Sequence, residues 1–362
     1  MMQISPETQL FIREHSSDDV RALALQAKKY PDLDMPTAIT QIAGRKVAAE
    51  KIPSWWEIEK IWYPKHLSLE QCSSEITARY KARLLQGDSL TDLTGGFGID
   101  CSFLATGFKS ATYVERQEEL CEIAAHNFPV LNLNHINIRN EDGVTYLQAM
   151  SPVDCLFLDP ARRNEHGGKT VAISDCEPNV AELEELLLQK ANRVMIKLSP
   201  MLDLSLALKE LKQTQEVHIL SVNNECKELL ILLGQTSPTE ISIHCVNLST
   251  KGTQEEQHFV FTREQEQCSE CTYTDSLETY LYEPNASLLK AGAFRSIAAA
   301  YPVRKLHPNS HLYTSDTFIE NFPGRIFRIV NQCSFNKKEV KENLADLKKA
   351  NVTVRNFPAT VA

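Results

Sequence analysis

Apolar and polar positions follow three successive rhythms along this 362-residue chain. From residue 1 to about 86 the apolar side chains recur every three or four positions, as in Asp18-Asp-Val-Arg-Ala-Leu-Ala-Leu and Met35-Pro-Thr-Ala-Ile-Thr-Gln-Ile-Ala. That spacing predicts helices, with Pro36 near one start and Ser68 opening another that is expected to run to Leu85. From about 87 to 236 short apolar runs alternate with helical patterns. Strands are expected at 89–94, 110–115, 134–138, 153–158, 193–198, 216–222 and 227–233, the last two joined only by Val222-Asn-Asn-Glu-Cys226. An alternation of strand and helix that ends in a hairpin predicts a mostly parallel sheet with an antiparallel finish. Residues 237–279 carry two alternating runs and a polar stretch, read as a hairpin or linker. From 280 to 362 the expected order is strand (280–282), helix (285–300), strand (311–314), strand (324–330), helix (336–350) and strand (352–355), the βαββαβ order of a ferredoxin-like domain.

Doubly wound sheets bind ligands at the carboxyl ends of their strands, so polar residues there are the first candidates for chemistry. The first strand ends in Asp92-Leu-Thr94-Gly95-Gly96-Phe97-Gly98-Ile-Asp100. Glycines at this point let the backbone turn sharply and let a ligand approach. Glu115 closes the second strand, about 20 residues on, where an acid can accept hydrogen bonds from ribose hydroxyls. Arg116 follows it, and Asp142-Gly143 follows the third strand. The G-x-G-x-x-G of dinucleotide enzymes is absent, which favours a cofactor without a pyrophosphate. The fourth strand ends in Asp159-Pro160-Ala161-Arg162-Arg163, and the fifth in Lys197-Leu-Ser-Pro200.

These residues resemble the class I S-adenosylmethionine-dependent methyltransferases, and within them a bacterial group with a D-P-A-R loop and a C-terminal THUMP-like, ferredoxin-like domain. The resemblance implies an α/β fold: a Rossmann-like sheet over 87–236, an N-terminal helical domain over 1–86, a hairpin or linker over 237–279 and a ferredoxin-like α+β domain over 280–362. It implies S-adenosylmethionine as cofactor, bound by Asp92, Thr94, Gly95, Gly96, Phe97, Gly98, Asp100, Arg116 and Gly143, together with Glu115 at the ribose and Asp142 at the adenine amino group. Asp159, Pro160, Ala161 and Arg162 resemble the catalytic loop. Thr94 stands where the general pattern has glycine, a departure that nucleic-acid methyltransferases tolerate. The segment Glu70–Tyr80 is similar to the one that can lie against the cofactor; Gln71, Ser74 and Thr77 would form one polar face there, or simply face solvent.

Methyl transfer from a sulfonium is an in-line displacement, so the protein mainly has to align the nucleophile. Asp159 can accept a hydrogen bond from an amine, while Ala161 removes the aromatic stack that D/N-P-P-aromatic loops provide. Arg162 and Arg163 can stack on a base, hold a phosphate, or pair with nearby carboxylates. D-P-x-R also resembles the loop of uracil-C5 RNA methyltransferases, which need a cysteine after strand five. Lys197-Leu-Ser199-Pro-Met201 has none there, so a nitrogen or oxygen target is expected.

Charge adds a partner. Residues 290–362 carry 12 Lys and Arg against 5 Asp and Glu on a chain of net charge −9. A basic module on an acidic body suits RNA, with Lys290, Arg295, Arg304, Lys305, Arg163 and Lys197 as substrate-binding candidates. No apolar run of membrane-spanning length occurs, and the N-terminus has no signal-peptide pattern, so a cytoplasmic enzyme is expected. The ten cysteines are scattered, and Cys268-Ser-Glu-Cys271 is the only pair with zinc-like spacing, without a second pair; no metal is expected. The three tryptophans, Trp55, Trp56 and Trp62, read as a helical core, a clamp on the next domain, or a platform for a base. The competing functions are a small-molecule or protein methyltransferase, and a non-catalytic RNA-binding scaffold that keeps the pocket.

Overall fold

The computed structural model describes residues 4–162, 172–236, 238–250, 256–345, 347 and 349–353. Two units are formed, Met1–Gln215 with Leu229–Pro238, and Glu216–Glu228 with Thr239–Ala362.

The first unit opens with helices whose starts are capped as their sequences require. Ser5, Asp19 and Asp34 accept backbone N–H groups at the starts of α1 (Pro6–Glu14), α2 (Val20–Gln26) and α3 (Met35–Lys51). Phe11, Leu23, Met35, Ala38 and Ile42 form their common core. A second core joins the end of α3 and α4 (Pro53–Trp56) to the glycine turn, with Trp55 edge-on to Phe97 at 5.2 Å between ring centroids. Of the readings of the tryptophans, the helical core holds for Trp55, and Trp62 stacks on His126.

The helix expected from Ser68 to Leu85 is two, α5 (His66–Gln71) and α6 (Glu75–Ala82). Serine side chains compete with the backbone for hydrogen bonds, and the break falls at Cys72-Ser73-Ser74. It frees Ser73 to face Asp100, in the helix that follows the first strand.

Alternating elements follow: β1 (Ser89–Asp92), α7 (Ile99–Ala105), β2 (Ser110–Glu115), α8 (Glu118–Val130), β3 (Ile136–Asn140), α9 (Gly143–Ala149) and β4 (Val153–Leu158). After the two-residue strands β5 (Ala161–Arg162) and β6 (Cys176–Glu177) come α10 (Val180–Lys190), β7 (Ala191–Leu198), α11 (Leu204–Glu210), β8 (Thr214–Val222) and β9 (Glu225–Gly234). The sheet of this unit runs β9-β7-β4-β1-β2-β3, parallel except for β9, which is antiparallel to β7. Runs such as Cys155-Leu-Phe-Leu158 and Val194-Met-Ile196 are buried throughout, as a sheet covered on both faces demands. The chain builds outward from β1 through β2 to β3, then returns to the other side of β1 with β4. This reversal is the topological switch point, and the candidate motifs lie at its carboxyl end.

β8 and β9 form the expected hairpin, turned by Asn223 and Asn224 at φ 51° and 67°, a left-handed conformation that asparagine tolerates. In the second unit β8 pairs in parallel with β10 (Ser242–Leu248), and β10 pairs antiparallel with β11 (Glu256–Phe261), an edge strand. The polar stretch after it begins with α12 (Arg263–Cys268), capped by a Thr262–Gln265 box.

The remaining elements are β12 (Tyr280–Pro284), α13 (Ala286–Ala291), α14 (Ser296–Ala300), β13 (Arg304–Lys305), β14 (Tyr313–Ser315), β15 (Gly324–Arg328) and α15 (Lys337–Asn343). Their sheet runs β13-β14-β12-β15, with every neighbour antiparallel. Numbered within this domain the order is 2-3-1-4, the ferredoxin-like arrangement. The assignment of individual strands needs correction. The second strand is β13, whose two residues are too short to show alternation, so the runs at 311 and 324 are the third and fourth strands. The segment between β14 and β15 is a short turn with no helix, and α15 comes after the fourth strand. Gly292, at φ 78°, ends α13 and divides the helix expected over 285–300. Residues 351–353 are not in a strand, and 354 and 355 lie outside the described residues.

Candidate active site

Beyond β1 the chain stays tied to both neighbouring strands, Leu93 N donating to Phe157 O at 3.0 Å and Gly95 N to Val114 O at 2.8 Å. Gly95 lies against the Tyr113 ring so closely that a Cβ would come within 2.3 Å of it, and the Tyr113 hydroxyl donates to Gly96 O. Gly96 and Gly98 have φ of 54° and 86°, and Gly98 is the N-cap of α7. Glu115 is stitched beneath this turn: one carboxylate oxygen accepts from Gly96 N at 2.9 Å and the other from Gln117 N at 2.8 Å. Each oxygen keeps a second lone pair, which a ribose hydroxyl can use.

Asp142 is exposed and caps α9 with one oxygen, Oδ1, which accepts from Val144 N and Thr145 N. Gly143 is a packing glycine, since a Cβ there would meet Leu93 O at 2.2 Å. Asp92 is fully buried; desolvation pushes its carboxyl well above the usual range against the pull of the Thr94 N–H. Thr94 gives the departure from glycine a purpose. Its hydroxyl accepts the backbone N–H of Asp159 at 2.6 Å and so ties the glycine turn to the reaction loop.

A row of alternating charges crosses the same strand ends. Lys197 pairs with Asp159 and stands 3.8 Å from Asp100, which in turn pairs with Lys81 at 3.0 Å. Ser73 Oγ accepts from Lys81 Nζ at 2.8 Å and donates to Asp100 at 2.7 Å. Desolvation raises the Asp100 carboxyl, but the Lys81 and Lys197 ammoniums and the Ser73 hydroxyl outweigh it and hold the group below its usual value. At Asp159 the balance is reversed: desolvation wins over Lys197, and the carboxyl is pushed up.

The expected site residues therefore divide. Asp92, Thr94, Gly95, Gly96, Gly98, Glu115, Asp159 and Lys197 converge on the switch point. Phe97 does not line it; it is buried against Trp55 because an aromatic ring at this turn caps the helical core. Asp100 belongs to the ion row, and the exposed Arg116 pairs with Glu177 at 3.3 Å. Pro160 is buried, Ala161 is exposed, and the backbone of Arg162 pairs with Cys176. Arg163 lies outside the described residues.

In the second unit the basic candidates are largely engaged. Arg295 donates to Gln267 O at 2.9 Å, and Arg304 pairs with Glu278. Lys305 is 1% exposed and donates to the carbonyls of His307 and Pro308, so it supports a turn and is not a surface contact. Lys290, at the end of α13, is half-buried. Exposed lysines are present on α15, at Lys337, Lys338 and Lys341. Sequence reasoning missed these, and it missed Ser73 and Lys81. Lys81 carried a signal: it shares the buried face of α6 with Thr77 and Ala78, where a charge needs a partner.

Comparison with known proteins agrees with this architecture. Residues 280–323 match a ferredoxin-like domain family and residues 324–362 a THUMP domain-like family. A crystal structure from Porphyromonas gingivalis W83, of a protein with a provisional methyltransferase name, is 34% identical with a TM-score of 0.86, over 99% of this chain and 91% of that one. An rRNA methylase from Streptococcus thermophilus is 14% identical (TM-score 0.32, 44% of this chain, 93% of that one). A protein from Streptococcus mutans in complex with SAH, also provisionally named a methyltransferase, is 14% identical (TM-score 0.32, 44% and 96%). Likenesses as shallow as the last two bear on neither activity nor substrate. No curated protein sequence matches. With its glycine turn, D-P-A-R loop and two C-terminal modules, and with a relative alike over nearly its whole length, the chain belongs to the class I methyltransferase family, in the bacterial group that carries ferredoxin-like and THUMP-like domains.

Proposed function

We propose that this chain transfers a methyl group from S-adenosylmethionine to a nitrogen or oxygen atom of RNA. The observation that carries the reading is the meeting of a turn free of side-chain bulk, a carboxylate beneath it and the Asp159–Lys197 pair at the ends of β1, β2, β4 and β7. The residues present fit the cofactor. A Cβ at Gly96 would meet nothing nearer than Thr94 O at 3.7 Å, so the turn is open on that side. Glu115 offers acceptors for ribose hydroxyls, and Asp142 Oδ2 has no partner among the described residues, leaving it for an adenine amino group. When bound, S-adenosylmethionine supplies a methyl group activated by its sulfonium. The chain's part is alignment: Asp159, fixed through its backbone by Thr94 and through its carboxylate by Lys197, accepts a hydrogen bond or proton from the attacking group. A covalent cysteine route is disfavoured at Cys155, the cysteine nearest the loop in sequence. It is buried in β4, donates to Gln86 O, and its thiol is pushed up to about 11 by desolvation.

RNA is favoured by the THUMP domain-like match and by the exposed lysines of α15. The engagement of Arg304 and Arg325 with Glu278 and Glu283, and the burial of Lys305, favour a second reading, a small-molecule or protein substrate. Methyl-tritiated cofactor offered with unmodified total RNA, protein extract and small metabolites in parallel is expected to label RNA; label confined to another fraction would select the second reading. RNA affinity is also expected to fall steeply with salt, as phosphate neutralisation releases counterions.

Glu115→Ala removes both acceptors beneath the turn. A hydrogen bond to a charged group contributes about 1.5–3 kcal/mol, so calorimetry is expected to show cofactor binding weakened by about 10-fold or more. Unchanged affinity would take the ribose contact away from Glu115.

A further inference from the structure

One face of the β8–β10–β11 sheet gathers side chains that the proposed reaction does not use. Side chains alternate along a strand with a period of two, so Glu216 and His218 of β8 share a face. Parallel pairing sets His244 of β10 directly beside His218, although 26 positions separate them in the chain. His258 of the edge strand β11 stands beside His244. One ligand atom each from Glu216, His218 and His244 lies within 4.8 Å of the other two. Glu216 Oε2 is 3.3 Å from His218 Nε2, and His244 Nδ1 is 3.1 Å from His258 Nε2.

We propose that Glu216, His218 and His244, with His258 as a fourth ligand, form a binding site for a divalent transition-metal ion of the zinc class. Donor atoms about 2.0–2.1 Å from a tetrahedral ion stand about 3.3 Å apart, which is the spacing within both of these pairs. Imidazole and carboxylate are the donors that zinc and its neighbours in the transition series prefer, and soft thiolates are absent from the group. The His218 and His244 rings lie stacked, with centroids 4.3 Å apart, so binding turns them about χ2 to aim their lone pairs at one point. That torsion is broad and the turn costs little. The ion ties the edge strand β11 to β10 and β8, adding a clip across the sheet edge to the ladder that pairs β11 with β10. The site escapes sequence inspection because Glu216-x-His218 is a two-residue signal and its partners are supplied by strand pairing.

The full chain, stripped with a chelator and titrated with Zn²⁺ alone, is expected to bind one ion and to melt at a higher temperature when loaded. Loss of an outer partner of a metal ligand weakens binding by about 10–100-fold, so His244→Ala, which removes a ligand, is expected to weaken it by more than about 100-fold. His258 is exposed, so His258→Ala leaves the fold intact and is expected to weaken binding by about 10-fold or more. Cys268→Ser with Cys271→Ser is expected to change nothing, and Co²⁺ in place of Zn²⁺ is expected to show nitrogen and oxygen ligation without thiolate charge-transfer bands. No binding to the wild type, unchanged affinity in both histidine variants, or a site lost with the two cysteines would each overturn the proposal.

Discussion

Asp159→Ala is expected to lower methyl transfer by about 10²–10⁴-fold while leaving cofactor affinity within a few fold. The asymmetry follows from what each part of Asp159 does. Its backbone N–H is held by Thr94, a contact that alanine keeps, so the glycine turn retains its anchor. Its carboxylate alone faces Lys197 and the position of the attacking group. The carboxyl is pushed up by desolvation, with Lys197 pulling the other way, so it takes up its proton at a higher pH than an ordinary aspartate. Activity that depends on the ionised form therefore fails on the acid side at a pH above the usual carboxylate range. Removing the opposing pull in Lys197→Met moves that limb to still higher pH. Single-turnover rates across pH, read beside cofactor binding, measure both effects. Wild-type turnover in Asp159→Ala would end the assignment of this loop, and an acid limb that stays in place in Lys197→Met would separate Lys197 from it.

The parts of this site that were legible in the sequence are those that one strand end carries whole. Asp92–Gly98, Glu115 and Asp159 stand at the ends of the largely buried strands β1, β2 and β4, Asp142 caps the helix after β3, and the order of the pattern places all of them at one edge of the sheet. The fold was readable for the same reason, down to the Asn223-Asn224 hairpin. What escaped was assembled across elements. Ser73 and Lys81 come from α6 and the break before it, and nothing in their local sequence names Asp100 as their partner. Strand β13 has two residues and therefore no period. Phe97 sits inside the motif yet faces the other way, because the helix that begins at Gly98 leaves its ring toward Trp55. Lys305 follows Arg304 in a basic run, but the side chains of a strand alternate, and one of the two goes inward.

Lys81→Met is expected to be the most destabilising single change in the ion row. The Lys81 side chain is 0% exposed and that of Asp100 10%, so the pair is held out of water and each charge depends on the other. Removing one partner of such a pair costs about 3–5 kcal/mol, because the remaining charge is left desolvated. Methionine keeps the apolar stem packed against α7, which confines the loss to the ammonium. Lys197 stays 3.8 Å from Asp100 and becomes its remaining cation, so the loss is expected near the lower end, about 3 kcal/mol. That compensation has a cost at the loop, since the Lys197 drawn toward Asp100 is the one that holds Asp159. Trp55, Trp56 and Trp62 all lie in the first unit and give its denaturation a fluorescence signal. The midpoint is expected to fall in Lys81→Met and to recover in Lys81→Met with Asp100→Asn, where no buried carboxylate is left unpaired and Lys197 is released to Asp159. A midpoint that does not move would mean that water reaches Asp100. A double variant no more stable than the single one would locate the loss in packing, and the alternating row would then contribute nothing to holding the reaction loop in place.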